Sequence, residues 1–374
     1  MQNFILKELV TSNIESELEK IGFDIAYRAK ASDKYSYKTF KIFDLSLPQA
    51  NILKQTALSL GADCGVHREI LTAKIQKTDV ILGGSISQLK KICEKLKLQP
   101  FSMKILAENI LSQLRKQTRK TKLVGILNLT PDSFSDGGLY FSEKSAQKQL
   151  FQLIEDGADI IDIGAESTRP NSNPVDSKEQ IERLKLITNI VKDINIPLSI
   201  DTKSSEVANF ALDNGFTIIN DISGGNNDSN IFDIASKYNT TIVLQHSTNK
   251  TEDKPIYKDI IEDVYFDLLK KSNLAKERGI KKIIIDPGIG FGKSQIDNFE
   301  ILNRIEEFYS LNLPIMVGVS RKSLLRLEKS DDNNLKDALT LAISYPLIQK
   351  NIDYLRVHNV KYHRQLLDTL TQQA

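Results

Sequence analysis

The sequence predicts an α/β protein: a closed (β/α)8 barrel preceded by a small α/β N-terminal domain. Three observations carry this. From residue 122 onward a short apolar run, a polar or glycine-rich stretch and a helical pattern follow one another eight times. Runs such as Ile218-Ile-Asn-Asp-Ile222 and Lys282-Ile-Ile-Ile-Asp286 are continuous and β-branched, as strands covered on both faces are. The eight units fill residues 122–374, and such a barrel typically spans about 250 residues. An open doubly wound sheet, the alternative, fits that count less well.

In chain order, strands are expected at Leu123–Thr130, Ile160–Ser167, Leu198–Asp201, Ile218–Ser223, Ile242–His246, Ile283–Gly290, Ile315–Ser320 and Tyr354–His358. Helices are expected to begin near Glu143, Ser177, Ser204, Ser229, Lys258, Gln295, Leu335 and Lys361. Residues 1–116 read as a separate module whose role is not evident. Within it Ser36–Leu45 alternates like a strand, and Pro48–Leu60 is framed as a helix by proline at its start and Gly61 at its end. Asp79–Leu82 suits a short strand, and Ser85–Lys97 and Met103–Lys116 suit helices. Residues 117–121 lie in a basic, polar run without aromatic residues, so they read as a solvated linker and not as a nucleic-acid patch. No motif in the module names a chemistry. Cys64-Gly-Val-His67 is more simply packing than metal ligation.

The chain has 374 residues, with 50 Lys and Arg against 48 Asp and Glu and a net charge of +2. Charge this balanced gives little support to a nucleic-acid partner. Hydrophobic residues make up 40% of the chain, which is too many for a disordered protein. No stretch approaches the ~18 continuous apolar residues of a membrane helix. Met1–Glu8 lacks a positive start followed by an apolar run, so no signal peptide is expected. The two cysteines, Cys64 and Cys93, are too few for a zinc ribbon or a disulfide framework, and free or buried thiols in a reducing cytoplasm are expected.

In a barrel of this kind the site lies at the C-terminal ends of the strands. Those ends carry, in order, Asn128; Glu166-Ser-Thr168-Arg169; Asp201; Asn220-Asp221; Gln245-His246; Asp286 with its glycine-rich run to Lys293; Ser320-Arg-Lys322-Ser323; and Arg356-Val-His358-Asn359. Arg356 and His358 flank Val357 and so share one side of the last strand. Together they make an anion site, since barrel phosphate sites gather near the last two strands. Asp201, Asn220 and Asp286 place acceptors and an amide in the mouth. A flat heterocycle with an amino group beside a ring N–H offers paired donors that one carboxylate can receive. Lys322 suits a ring carbonyl or ring nitrogen. Taken singly, Arg356 fits an ion pair with a nearby carboxylate and His358 a satisfied core histidine. Burying so many polar groups merely to rigidify the barrel is costly, which favours a ligand.

Other motifs fail. Gly288-Ile-Gly-Phe-Gly292-Lys-Ser has neither P-loop nor dinucleotide spacing. No His and carboxylate set has zinc spacing, and both cysteines precede the barrel, so a cysteine nucleophile at its mouth is excluded.

Two segments, GILNLTPDSFSDGG at 125–138 and DIGAESTRP at 162–170, resemble the two signatures of dihydropteroate synthases. IDT at 200–202, INDI at 219–222, DPGIGFG at 286–292, GVSRKS at 318–323 and RVH at 356–358 are similar to the same family in the same order. The likeness runs from Leu123 to the C-terminus. It implies a cytoplasmic folate-pathway transferase. Such an enzyme joins 6-hydroxymethyl-7,8-dihydropterin pyrophosphate to p-aminobenzoate, giving 7,8-dihydropteroate and pyrophosphate. The resemblance also implies Mg²⁺ as cofactor, sulfonamides as mimics of aminobenzoate, and a homodimer through the late helices, where the apolar stretch Ala338–Ile348 suits an interface. Carried over position by position, Asp201, Asn220, Asp286 and Lys322 hold the pterin. Asn128 ligates Mg²⁺, and Arg356 and His358 meet the pyrophosphate. Thr168, Arg169, Phe291 and Ser323 line the aminobenzoate site, with Phe134 and Asp136 on a closing loop.

The chemistry is coherent with that assignment. A metal and cations stabilise the growing charge of pyrophosphate, and an electron-rich dihydropterin supports positive charge on its methylene, so no covalent nucleophile is needed. A helix N-terminus after Ser320 suits the aminobenzoate carboxylate. Three departures stand out. Gln245-His246-Ser-Thr replaces a Met-His-Met-like stretch, Ala165 stands for a second glycine, and Asn359 stands for a common aspartate. A methyltetrahydrofolate methyltransferase shares the barrel but has no need of the Lys322, Arg356 and His358 cluster. A non-catalytic pterin-binding protein acting through residues 1–116 is the other alternative.

Overall fold

The computed structural model describes residues 5–10, 13–70, 72–115, 119–130, 143–166, 175–247, 257–325 and 332–371. It divides into two compact units, Met1–Gln117 and Thr118–Ala374. The first holds an antiparallel sheet of β1 (Tyr37–Ser46), β2 (Asp63–Val66) and β3 (Lys77–Ser85) in the order β1-β3-β2. Its helices are α1 (Ile14–Lys20), α2 (Arg28–Ser32), α3 (Leu47–Leu58), α4 (Ile86–Leu96) and α5 (Met103–Leu114). Two of them start by the same device. Ser46 and Ser85 precede α3 and α4, and Gln49 and Gln88, three residues on, complete capping boxes. Leu53, Leu82, Leu89, Ile92 and Met103 fill the core, with Cys64 and Cys93 packed among them. Strand β2 and helices α1 and α2 go beyond the sequence expectation. Four to seven residues carry too few periodic positions to register as a pattern.

The second unit is a (β/α)8 TIM barrel. Its strands are β4 (Lys122–Asn128), β5 (Ile160–Gly164), β6 (Leu198–Asp201), β7 (Ile218–Asp221), β8 (Thr241–Gln245), β9 (Lys282–Asp286), β10 (Met316–Val317) and β11 (Tyr354–Val357). They pair in parallel in the order β10-β11-β4-β5-β6-β7-β8-β9. A parallel bridge between Ile285 and Ile315 joins the two ends of that order and closes the sheet. Outside run α6 (Glu143–Glu155), α7 (Ser177–Thr188), α8 (Ser205–Asp213), α9 (Asn230–Lys237), α10 (Ile260–Glu277), α11 (Gln295–Asn303), α12 (Asn333–Gln349) and α13 (Val360–Thr371).

Leu123, Ile161, Ile200, Ile219, Ile242, Ile285 and Leu355 face the helices in one large core. Their strand neighbours Val124, Ile160, Ile218, Val243, Ile284 and Met316 form a separate cluster that fills the barrel interior, with Tyr354 beside it. Several strands stop earlier than expected: the ladders end at Asn128, Gly164, Asp221, Gln245, Asp286, Val317 and Val357. The apolar residues beyond, such as Ile289 and Val319, are fully buried loop anchors. Apolar character marked burial there, not strand pairing.

Within the basic run, the described residues 119–121 depart from a solvated linker. Arg119 is paired with Asp353 and lies over the Tyr309 ring at 4.1 Å. Thr121 Oγ1 donates to Ile352 O at 2.7 Å. Residues 119–121 are thus fastened to the barrel just ahead of β11. No helix among the described residues is long and apolar enough to cross a membrane.

Candidate functional site

Strand alternation builds the site. Asp162, Asn220, Gln245, Asp286 and Arg356 each stand two residues beyond an inward residue of the interior cluster or its flanking Tyr354, and Asp201 stands two beyond buried Ser199. Asn128 is four beyond Val124 on the same face. The polar layer therefore sits directly above an apolar floor.

Its centre is Arg356. Arg356 Nε donates to Asp162 Oδ2 at 2.6 Å and Nη2 to Asp201 Oδ2 at 2.6 Å. Asn220 Nδ2 donates to the same Asp162 oxygen at 2.9 Å. Burial pushes the Asp201 carboxyl up to about 7; Arg356 pulls it down, and Asp162 pushes it up further. Burial works against the charge on Arg356, but Asp162 and Asp201 hold it above the ordinary arginine range. The ion pair weighed for Arg356 is therefore present, and it engages Asp201. Arg356 Nη1 makes no hydrogen bond to a described residue, which leaves donors for an anion. Asp162 Oδ1, Asn220 Oδ1 and Gln245 Nε2 are buried with no partner among the described residues. Leaving one such group unpaired costs about 1–3 kcal/mol, so three of them mark a binding surface.

The loop after β9 supplies the second half. Asp286 Oδ1 accepts from Gly288 N at 2.7 Å, and burial pushes its carboxyl up against the pull of Lys322. Lys322 Nζ donates to Ile289 O at 2.6 Å and lies 4.6 Å from the centre of the Phe291 ring. Burial pulls its ammonium down to about 8, with Asp286 opposing. Beneath, Lys293 Nζ donates to Gly288 O at 2.9 Å and Phe291 O at 3.2 Å and meets His246 Nδ1 at 2.8 Å. Burial pulls Lys293 down to about 7 and His246 down to about 3, so the proton of this pair resides on the lysine. Gly288 has φ +70°, and a Cβ there would lie 1.8 Å from His246 O; only glycine lets the loops after β8 and β9 approach so closely.

On the other flank, His358 Nδ1 meets Ser320 Oγ at 2.8 Å. The structure thus gathers Asn128, Asp201, Asn220, Asp286, Phe291, Lys322, Arg356 and His358 on one rim. Phe134, Asp136, Thr168 and Arg169 lie outside the described residues, and of Ser323 only the backbone is described, in a short 3₁₀ turn at Ser323–Leu325. The helix expected near Leu335, after Ser320, is α12, which starts at Asn333. It is capped by Asp332, whose carboxylate accepts from Asn334 N and Leu335 N, so its end is already occupied by an anionic group. Sequence reasoning quoted Asp162 but gave it no role. The signal was available: an acid inside an otherwise apolar strand, in step with Ile160.

Asn128 fits a magnesium ligand. It is half-buried at the end of β4, its Oδ1 would lie 3.5 Å from a Cβ placed on Gly164, and no described residue hydrogen-bonds its amide. An uncharged oxygen donor of this kind suits Mg²⁺ when phosphate oxygens and waters complete the shell. Among the described residues, no group of three or more His, Cys, Asp or Glu could hold a metal ion.

A closed barrel whose rim sets buried acceptors beside a guanidinium and an ammonium is the arrangement of a barrel enzyme for a polar ligand. A family described as "Pterin binding enzyme" matches residues 124–358. The chain is 42% identical over 245 residues to a dihydropteroate synthase of Clostridium beijerinckii, covering 64% of this chain and 90% of that one. It is 32% identical over 372 residues to a bifunctional dihydropteroate synthase/dihydropteroate reductase of Helicobacter pylori, covering 97% of each. The dihydropteroate synthase of Xanthomonas albilineans with 4-aminobenzoic acid superposes with a TM-score of 0.64 at 33% identity, covering 68% of this chain and 93% of that one. The chain belongs to the pterin-binding enzymes and, within them, to the dihydropteroate synthases.

Replacing Arg356 by leucine leaves Asp162 and Asp201 buried without their cation. The variant is expected to lose about 3–5 kcal/mol of stability to urea at pH 8. Without the cation the carboxyl of Asp201 rises further, so the loss is present above its raised value and shrinks as pH falls through it. Urea curves at two pH values check both the size and the sign.

Proposed function

We propose that the chain condenses 6-hydroxymethyl-7,8-dihydropterin pyrophosphate with p-aminobenzoate, giving 7,8-dihydropteroate and pyrophosphate. The observation that carries this is the buried Asp162–Asn220–Asp201–Arg356 cluster, whose unpaired oxygens and spare guanidinium donors match a heterocycle edge and an anionic tail. In this reading Asp201 receives the paired donors of the pterin and Asn220 and Asp286 the remaining edge, while Lys322 meets a ring carbonyl or nitrogen. Arg356 and His358 bind the pyrophosphate. Bound at Asn128, Mg²⁺ supplies positive charge against the leaving group. The arylamine nitrogen forms a bond to the methylene carbon as the carbon–oxygen bond breaks. Pyrophosphate departs with the electron pair, and the amine proton passes to it or to water. Phe291, beside the Lys322 ammonium, offers an apolar wall to the aminobenzoate ring; the family resemblance assigns Thr168, Arg169, Ser323, Phe134 and Asp136 to the same substrate. Catalysis is then positioning together with charge stabilisation.

The test is turnover of the purified chain with both substrates and Mg²⁺; absence of pyrophosphate release removes the reading. Asp201 must be ionised and Lys322 protonated. The ratio kcat/KM for the pterin substrate is therefore expected to rise with pH through about 7 and to fall through about 8. Lys322→Arg should move the alkaline limb upward, and a profile flat across both limbs would contradict these roles.

We also propose that the chain works in the cytoplasm as a homodimer. Free, buried Cys64 and Cys93 suit a reducing compartment. Helices α11 and α12 flank an apolar groove of about 790 Å³ lined by Ile296, Phe299, Leu324, Leu325, Leu339 and Ile343, with Ile296 79% exposed. Apolar surface of this kind fits a second copy. Sedimentation is expected to give a dimer, and Ile296→Glu a monomer; a monomeric parent chain refutes the proposal.

A second reading concerns Met1–Gln117. The full-length likeness to the H. pylori protein, whose name includes a reductase, favours reduction of dihydropteroate as a further activity. The full chain given dihydropteroate and either reduced flavin or reduced nicotinamide should form tetrahydropteroate. No product with either donor removes that reading.

A further inference from the structure

We propose that Asp337 is a positioning residue: through Arg321 and Asn359 it locks together the two neighbouring strand ends that carry Lys322 and His358. The inference rests on the synthase reading above.

Val319–Lys322 form a turn in which Lys322 N donates to Val319 O at 3.4 Å. Arg321, its third residue, has φ +56°. Turns with a positive φ at that place ordinarily use glycine or asparagine, because a Cβ crowds the backbone there. A strained arginine one residue before Lys322 needs a force that holds it. Two parallel bonds supply it: Arg321 Nε and Nη2 donate to the two oxygens of Asp337 at 2.7 and 2.8 Å. This is the strong, directional form of the arginine–carboxylate pair, and the Asp337 side chain is only 5% exposed. One turn along α12, Thr340 Oγ1 accepts from Arg321 N at 3.3 Å.

The same carboxylate reaches the last strand. Asp337 Oδ2 accepts from Asn359 Nδ2 at 3.0 Å, and Asn359 Oδ1 accepts from Tyr362 N in the first turn of α13. Asn359 follows His358 directly. His358 in turn is tied to the first turn by its backbone N–H on Ser320 Oγ at 3.1 Å and by its ring on the same hydroxyl. Asp337, Arg321, Ser320, His358 and Asn359 therefore form a closed circuit. Its anchor lies in the helix layer, and its two passengers, Lys322 and His358, lie at the rim. The carboxamide at 359 suits this circuit, since it donates to Asp337 Oδ2, where an aspartate would bring a second negative charge to the same oxygen.

The test uses the full chain as wild type, Asp337→Asn, Arg321→Gly, and the exchange Asp337→Asn with Asn359→Asp. Glycine at 321 relieves the backbone and removes only the arm, so it separates bracing from folding. Asp337→Asn and Arg321→Gly are each expected to lower kcat/KM for the pterin pyrophosphate about 10–100-fold, the scale of a misplaced reacting group. Each should weaken binding of inorganic pyrophosphate, measured by calorimetry, roughly in parallel, with the melting temperature of Arg321→Gly near that of wild type. The exchange returns one carboxylate to the circuit while keeping the cap on α13, and should recover much of the loss. Folded Arg321→Gly with wild-type kcat/KM and pyrophosphate affinity overturns the proposal, as does an exchange no better than Asp337→Asn alone. Should Asp337→Asn fail to fold, Arg321→Gly decides. A wild type that binds pyrophosphate but releases none from the substrates sinks the synthase reading instead, and the calorimetric comparison still judges this circuit.

Discussion

Side chains along a strand alternate between its two faces, and in a closed barrel of eight strands that rule decides which residues can meet. Here the inward positions run apolar and then polar, with Ile160 below Asp162, Ile218 below Asn220, Val243 below Gln245, Ile284 below Asp286 and Tyr354 below Arg356. The lower layer plugs the cylinder. The upper layer, with water excluded from beneath, becomes a place where charges act strongly on one another. A register slip of one residue in any of these strands would turn plug and site together toward the helix layer.

The charges gathered there oppose one another closely. Burial raises Asp201 and Asp286 and lowers Lys322, so each is drawn toward its neutral form. Arg356 stays charged and organises the rest by clasping two carboxylates at once. In the free protein the folded state holds a proton on Asp201 more tightly than the unfolded chain does. This residue therefore costs stability as pH rises from the ordinary carboxyl range through about 7. That cost is spent on a surface poised for a ligand.

Much of this was legible in the sequence. Eight short apolar runs, each closing on polar or glycine-rich residues, gave the barrel, and Asp201, Asn220, Asp286, Lys322, Arg356 and His358 could be named from their places at strand ends. What escaped has physical reasons. Ile289 and Val319 look like strand yet only anchor loops, because hydrophobicity reports burial and says nothing of hydrogen-bond pairing. Strand β2 is too short to show a period. The pairing of Arg356 with Asp162 spans 194 positions and that of Arg321 with Asp337 crosses from a turn to a helix, and no local pattern encodes a partner. Lys293 was placed at a strand end but given no role, although Gly288 beside it is what admits its ammonium to the carbonyl it holds.

The unpaired oxygens of Asp162 and Asn220 have a bearing on the life of the protein in the cell. An interior with unmet bonding capacity is completed by the molecule it receives, and whatever binds only the native form draws the population toward it. Proteases act on unfolded chains, so a ligand that fills this interior also shields the chain that holds it.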